Sequence, residues 1–213
     1  MSLIYDSRHL VYKVAGMGPY DNNGYVIADP KSKEAYLIDA PEGIEDLLQE
    51  ASGFDIKGLI ITHTHPDHIA GYDTLKQVSD IPVAVHEADL HRFPWRPEIV
   101  FSGEENFMIG NVRIHALHTP GHTPGATCLY CPGTLISGDT LFPGGPGRTE
   151  NSSAFAEILQ SIEQKLFALD GDTMVMPGHG TDTVLSRAKS EYEIFKNKEH
   201  PEGLFGHINW LTS

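Results

Sequence analysis

Apolar positions recur along this chain in two periods, one suited to strands and one to helices. Residues 4–14 (IYDSRHLVYKV) carry an every-other-residue pattern, and the runs 24–28 (GYVIA) and 34–39 (EAYLID) read as further strands. Asp29, Pro30 and the stretch 31–33 supply a polar turn between those two, and 16–23 (GMGPYDNN) reads as a flexible connection. Ile44, Leu47, Leu48 and Ala51 fall at helical spacing. A strand over 57–62 follows, then a helix of about ten residues from Ile69, a strand at 83–86 and a short helix at 87–93. Residues 94–106 (PWRPEIVFSGEEN) read as a loop. Three more strands are expected at 112–117, 126–130 and 134–137, and a loop rich in Gly and Pro at 141–150. A helix over 152–166, a strand over 173–176, a helix over 183–198 and an apolar tail over 204–211 complete the pattern. The tail is read as packing against the body, with a second subunit as the other possible cover.

Strands interspersed with helices in this order predict an α/β fold with sheets inside and helices outside, in layers. No linker or low-complexity segment divides the chain, so a single domain over 1–213 is expected. About 40% of the residues are apolar, enough for a sizeable core, and no run approaches the 18 apolar residues of a membrane span. The N-terminus lacks the basic and then apolar regions of a signal peptide, and the expected setting, from the cysteine usage, is a reducing cytoplasm. Fifteen basic residues against 29 acidic give a net charge of −14, which disfavours nucleic acid and anionic membranes as partners and leaves a small molecule. Oligomeric state is not legible. The two cysteines, Cys128 and Cys131, fall on an expected strand, where residues three apart face opposite ways. With no second CxxC and no helix opening there, packing in a reducing compartment accounts for them.

The chemistry concentrates in histidine. Twelve are present, and the stretch 59–71, LIITHTHPDHIAG, carries an apolar strand straight into His63, His65, Asp67 and His68. Three later strand ends repeat the placement: His122 in HTPGHTPG, Asp139 in ISGDTLF and His179 in MPGHG, each with glycine within one or two residues. Imidazoles and carboxylates are ligands for zinc, iron or manganese. Seven are too many for one tetrahedral ion and suit two ions sharing one carboxylate. His9, His91, His200 and His207 read as ordinary residues, and His86, His115 and His118 as packing groups in or beside strands.

The segments THTHPDHIAG (62–71), TPGHTPG (119–125), SGDTLF (137–142) and PGHG (177–180) resemble the metallo-β-lactamase superfamily, closest to its glyoxalase II-like (hydroxyacylglutathione hydrolase-like) members. Asp39 in LIDAP resembles the family's early structural aspartate. The resemblance implies a four-layer αβ/βα sandwich, two mixed sheets with helices outside and two metals between the sheets. It assigns His63, His65 and His122 to one metal, Asp67, His68 and His179 to the other, and Asp139 to both. It implies two divalent ions, zinc first with iron or manganese also suited. The implied reaction is hydrolysis of an ester-like bond, a thioester first, by a hydroxide held between the ions, with Asp67 orienting it as the catalytic residue. Asp139 stands where some β-lactamases use cysteine, which argues against that activity. The stretch after His179 is too short for the helical domain of glyoxalase II, so glutathione recognition is not implied. Persulfide dioxygenase chemistry on one iron, lactone hydrolysis, RNA processing and a non-catalytic binding module are the competing readings. Met17, Tyr20, Trp95, Arg96 and Arg148 are the candidate substrate contacts.

Overall fold

Two sheets back to back carry the chain, as a computed structural model describing residues 2–213 shows. The first sheet runs in sequence order: β1 (Ser2–Asp6), β2 (Leu10–Met17), β3 (Asn22–Ala28), β4 (Glu34–Ile38), β5 (Asp55–Ile60), β6 (Val83–His86) and β7 (Ile99–Phe101). Its first four strands pair antiparallel and the last four parallel, because helical crossovers separate β4 from β5 and β5 from β6. These crossovers are α1 (Ile44–Glu50), then α2 (Pro66–Ile69) with α3 (Tyr72–Val78). The second sheet contains β8 (Glu105–Ile109), β9 (Val112–His118), β10 (Thr127–Cys131) and β11 (Thr134–Gly138). After a small ribbon of β12 (Leu141–Phe142) and β13 (Gly145–Pro146), it adds β14 (Met174–Pro177) and β15 (Thr183–Val184). The helix α4 (Ser152–Ser161), extended by a π-helical turn at Ile162–Leu166, forms the crossover to β14, and α5 (Leu185–Lys196) follows β15.

Three apolar layers hold these parts together. Alternate residues of β3 show the logic. Tyr25 and Ile27 face the second sheet and meet Ile109, Ile114, Leu129 and Ile136, whereas Val26 and Ala28 face α1 and α3. Every residue of β3 is buried, which explains its continuous rather than alternating apolar run. The third layer packs α4 and α5 on the second sheet, and the tail closes it with Trp210, fully buried against Tyr192. Cys128 lies in this outer layer and Cys131 between the sheets, so the two face opposite ways and serve as packing groups. The result is the four-layer α/β sandwich with mixed sheets.

Several boundaries differ from the sequence pattern. The strand expected over 4–14 is a hairpin, turning where Ser7 N–H donates to the His9 carbonyl at 3.1 Å. The connection at 16–23 shrinks to a turn, with Met17 buried at the end of β2 rather than free in a loop. The helix expected from Ile69 breaks at Gly71, where a Cβ would run into the Pro41 carbonyl and stand 2.8 Å from Ile44. The loop at 94–106 contains β7 and the start of β8. Among the described residues no helix is long and apolar enough to cross a membrane.

Candidate metal centre

The strands β5, β9, β11 and β14 all present their C-terminal ends at one edge of the sandwich, and the seven candidate ligands follow those ends. Backbone bonds between the sheets close this edge: Thr127 N–H donates to the Thr62 carbonyl at 2.9 Å and Asn23 N–H to that of Gly178 at 2.7 Å. Gly178 is required by the approach of the ligands themselves, since a Cβ there would collide with Asp139 and lie 2.6 Å from the His68 ring.

The side chains gather into overlapping trios: His63, His65 and His122; Asp67, His68 and His179; and, between them, His63, His68 and Asp139. Within each trio the ligand atoms lie within 4.8 Å of one another. Asp139 spans the two halves, with Oδ2 3.5 Å from His122 Nε2 and 3.6 Å from His179 Nε2, and Oδ1 3.4 Å from His68 Nε2. Four rings are fixed through the nitrogen that faces away from the centre. His122 Nδ1 donates to the Arg148 carbonyl at 2.8 Å and His179 Nδ1 to that of Tyr20 at 2.9 Å. His68 Nδ1 donates to Asp39 at 2.8 Å, and His63 Nδ1 meets the Thr62 hydroxyl at 3.2 Å. A carbonyl can only accept, so a neutral His122 or His179 ring aims its Nε2 lone pair inward. Asp39 adopts a left-handed backbone (φ 61°) to reach His68 and Thr62 together.

Such an arrangement fits cations. His63 Nε2, His122 Nε2 and Asp139 Oδ1 are buried without hydrogen-bond partners, and the Nε2 atoms of His68 and His179 face each other at 3.3 Å. Burial and the neighbouring imidazoles hold His63 well below the ordinary histidine range, and burial pushes His65 down to about 4. Burial also lowers His122, so this half offers neutral ligands. In the other half burial is outweighed: Asp39 and Asp139 push His68 up, and Asp67 with Asp139 raises His179. Burial opposes ionisation of Asp67 and Asp139, but the histidines beside them keep both below the usual carboxylate range. The cluster is suited to a dinuclear metal site.

A cleft of about 720 Å³ opens over the cluster, walled by Tyr20, Phe142 and Arg148. The tail adds His207, Ile208 and Asn209 to this wall, held where Trp210 N–H donates to the Gly144 carbonyl at 2.7 Å. His207 reads as an ordinary residue in the sequence, and no spacing marks it otherwise. Trp95 and Arg96 do not line the cleft. Trp95 stacks on Tyr72 at 4.1 Å and packs against Phe93 over α3, which accounts for the tryptophan without a substrate. Asn22, also unmarked in the sequence, donates to Asp67 Oδ2 at 2.8 Å. A larger hollow of about 1140 Å³ lies beside β9 and the β3–β4 turn and contains none of the ligands.

Comparison with known proteins agrees with this geometry. The family model described as "Metallo-beta-lactamase superfamily" matches residues 17–179. The hydroxyacylglutathione hydrolase of Brucella ovis is 37% identical over 163 residues, which cover 75% of this chain and 62% of that protein. The chain therefore spans under two thirds of the length of that relative. The crystal structure of BLEG-1 B3 metallo-beta-lactamase superposes with a TM-score of 0.75 at 28% identity, covering 84% of this chain and 96% of the other. TTHA1623, crystallised in a di-iron-bound form, gives 0.66 at 29% identity over 83% and 96%. The fold, the ligand cluster and the family model agree, and the chain belongs to the metallo-β-lactamase superfamily.

Proposed function

We propose that the protein is a metal-dependent hydrolase of ester-like bonds, with a small-molecule thioester as its substrate class. The observation that carries this reading is the set of inward-facing Nε2 and carboxylate atoms at the floor of an open cleft. The relatedness to hydroxyacylglutathione hydrolases favours a thioester over other acyl bonds, but the glutathione portion is left unassigned because the match spans only part of those proteins.

His63, His65 and His122 would hold one divalent ion, Asp67, His68 and His179 the other, and Asp139 would touch both. Zinc is the first choice, with iron or manganese accepting the same ligands. When bound, two such ions supply Lewis acidity towards the acyl oxygen and bring the pKa of water towards neutrality. The chain's own residues do the rest. Asp67, held through Oδ2 by the Asn22 amide, orients the nucleophilic water. Asp39 keeps the His68 ring turned so that Nε2 faces the centre. Arg148, exposed on the cleft wall, would pair with a substrate carboxylate. Tyr20 and Phe142 offer aromatic surface to the acyl or thiol portion.

The test is release of free thiol from hydroxyacyl thioesters by protein carrying measured zinc. The expected result is thiol release with two ions per chain, abolished by a chelator and restored by zinc. Oxygen consumption on a persulfide by protein holding one iron, with no thiol released from thioesters, would overturn the reading.

A further inference from the structure

Asp89 lies in the 3₁₀ turn Glu87–Arg92 after β6, more than twenty residues from any candidate ligand, and is 1% exposed. Its carboxylate accepts from four donors, none of them charged. Gly125 N–H donates to Oδ1 at 2.7 Å. Thr64 N–H, the Thr64 hydroxyl and the Thr123 hydroxyl donate to Oδ2 at 3.1, 3.2 and 2.8 Å. Those donors are not scattered. Thr64 sits between His63 and His65, and Thr123 follows His122 directly. One buried carboxylate therefore joins the two loops that supply all three histidines of one half of the centre. The fit is tight, since a Cβ on Gly125 would stand 2.7 Å from the Asp89 carboxyl carbon. The other half is held differently, by Asp39, Asn22 and the Tyr20 carbonyl, and none of these bonds involves Asp89.

We infer that Asp89 is a positioning residue for the three-histidine half alone, setting the separation of His63 and His65 from His122 and hence the affinity for the ion held there. The inference rests on the dinuclear reading above. A carboxylate is the only side-chain group that accepts at both oxygens, and the site demands this. In an Asp89→Asn variant the amide NH₂ must oppose either the Gly125 N–H or the Thr64 N–H. Hydroxyls can rotate away, but a backbone N–H cannot, so one buried donor loses its partner whichever way the amide turns.

The experiment is zinc binding to the metal-stripped full-length protein in competition with a chromophoric chelator, beside its thermal melting. Wild type should bind two ions. Asp89→Asn should bind one with wild-type affinity and the other ten- to a hundredfold more weakly, the range seen when groups supporting metal ligands are changed. Placing Asp89→Asn on an Asp67→Ala background should weaken the remaining ion, whereas on a His65→Ala background it should change nothing. Thr123→Val should reproduce a smaller loss at the same ion and Thr123→Ser should restore it, which keeps the inference testable if Asp89→Asn does not fold. Two ions at wild-type affinity in Asp89→Asn, or equal weakening of both, would overturn it. A wild-type protein with one ion would count against the dinuclear reading instead, and Asp89 would then stand or fall on whether that ion weakens.

Discussion

The two halves of the centre, one of three histidines and the other of two histidines and an aspartate, are secured by different means. The three-histidine half is tied by neutral donors converging on Asp89, and its rings are held below the ordinary histidine range. The half formed by Asp67, His68 and His179 is tied by charge. Asp39 pairs with a fully buried His68, while His179 and Asp67 remain partly open to the cleft. Burial lowers the histidines of one half, and carboxylates raise those of the other. The difference predicts that the two ions respond separately to mutation and to pH.

The largest effect should come from removing what the halves share. Asp139→Ala takes away the carboxylate that approaches His122, His68 and His179 together, and elemental analysis should find neither ion retained. A variant that still holds two ions per chain would remove Asp139 from its bridging place.

Asp39→Asn should separate the halves next. It opposes an amide to the His68 Nδ1–H, the Thr62 N–H and the Thr62 hydroxyl, all buried. Breaking such a buried pair costs about 3 kcal/mol or more, readable by urea denaturation of the metal-free protein. The ion at the charged half should weaken most, since Asp39 bonds His68 directly and reaches His63 only through the Thr62 hydroxyl.

The pH response is a third separation. The metal-free His68 and His179 have raised pKa values, so near neutrality they hold protons that binding must expel. The free form then binds more protons than the loaded form, and zinc affinity at that half should fall as pH drops through neutrality. His63, His65 and His122 are lowered, so affinity at their half should begin to fall only at a lower pH than at the other half. Isothermal titration in two buffers of different ionisation enthalpy counts the protons released by each ion. Equal release by both would break the comparison.

The smallest change is Asn22→Ala, which removes one hydrogen bond to Asp67 Oδ2. We expect a severalfold loss of affinity confined to the charged half, on the order of one charge-assisted bond. A loss at the three-histidine ion would contradict the division.

Much of this was legible in the sequence because ligands at strand ends carry their own context. An apolar run stopping at His63, and again before His122, Asp139 and His179, gives both the strand and the side chain that leaves it. The layered core was legible for the same reason. The edges were not. The strand β7 has three residues with Val100 exposed, and β8 turns Met108 outward, so neither shows a clean alternation. Supporting groups were also hidden. Asp89 in EADLHR looks like any acid on a helical turn, and only the fold brings Thr64, Thr123 and Gly125 to it. Trp95 shows the reverse, an aromatic in an apparent loop that turns out to be a packing residue over α3. Residues joined by tertiary contact alone leave no periodicity to read.

The most direct test of the divided centre is anomalous diffraction at the zinc edge from crystals of zinc-loaded protein. Two peaks are predicted, one among His63, His65 and His122 and one among Asp67, His68 and His179, with the Asp139 carboxylate between them. A single peak, or density at only one of the two trios, would contradict the account.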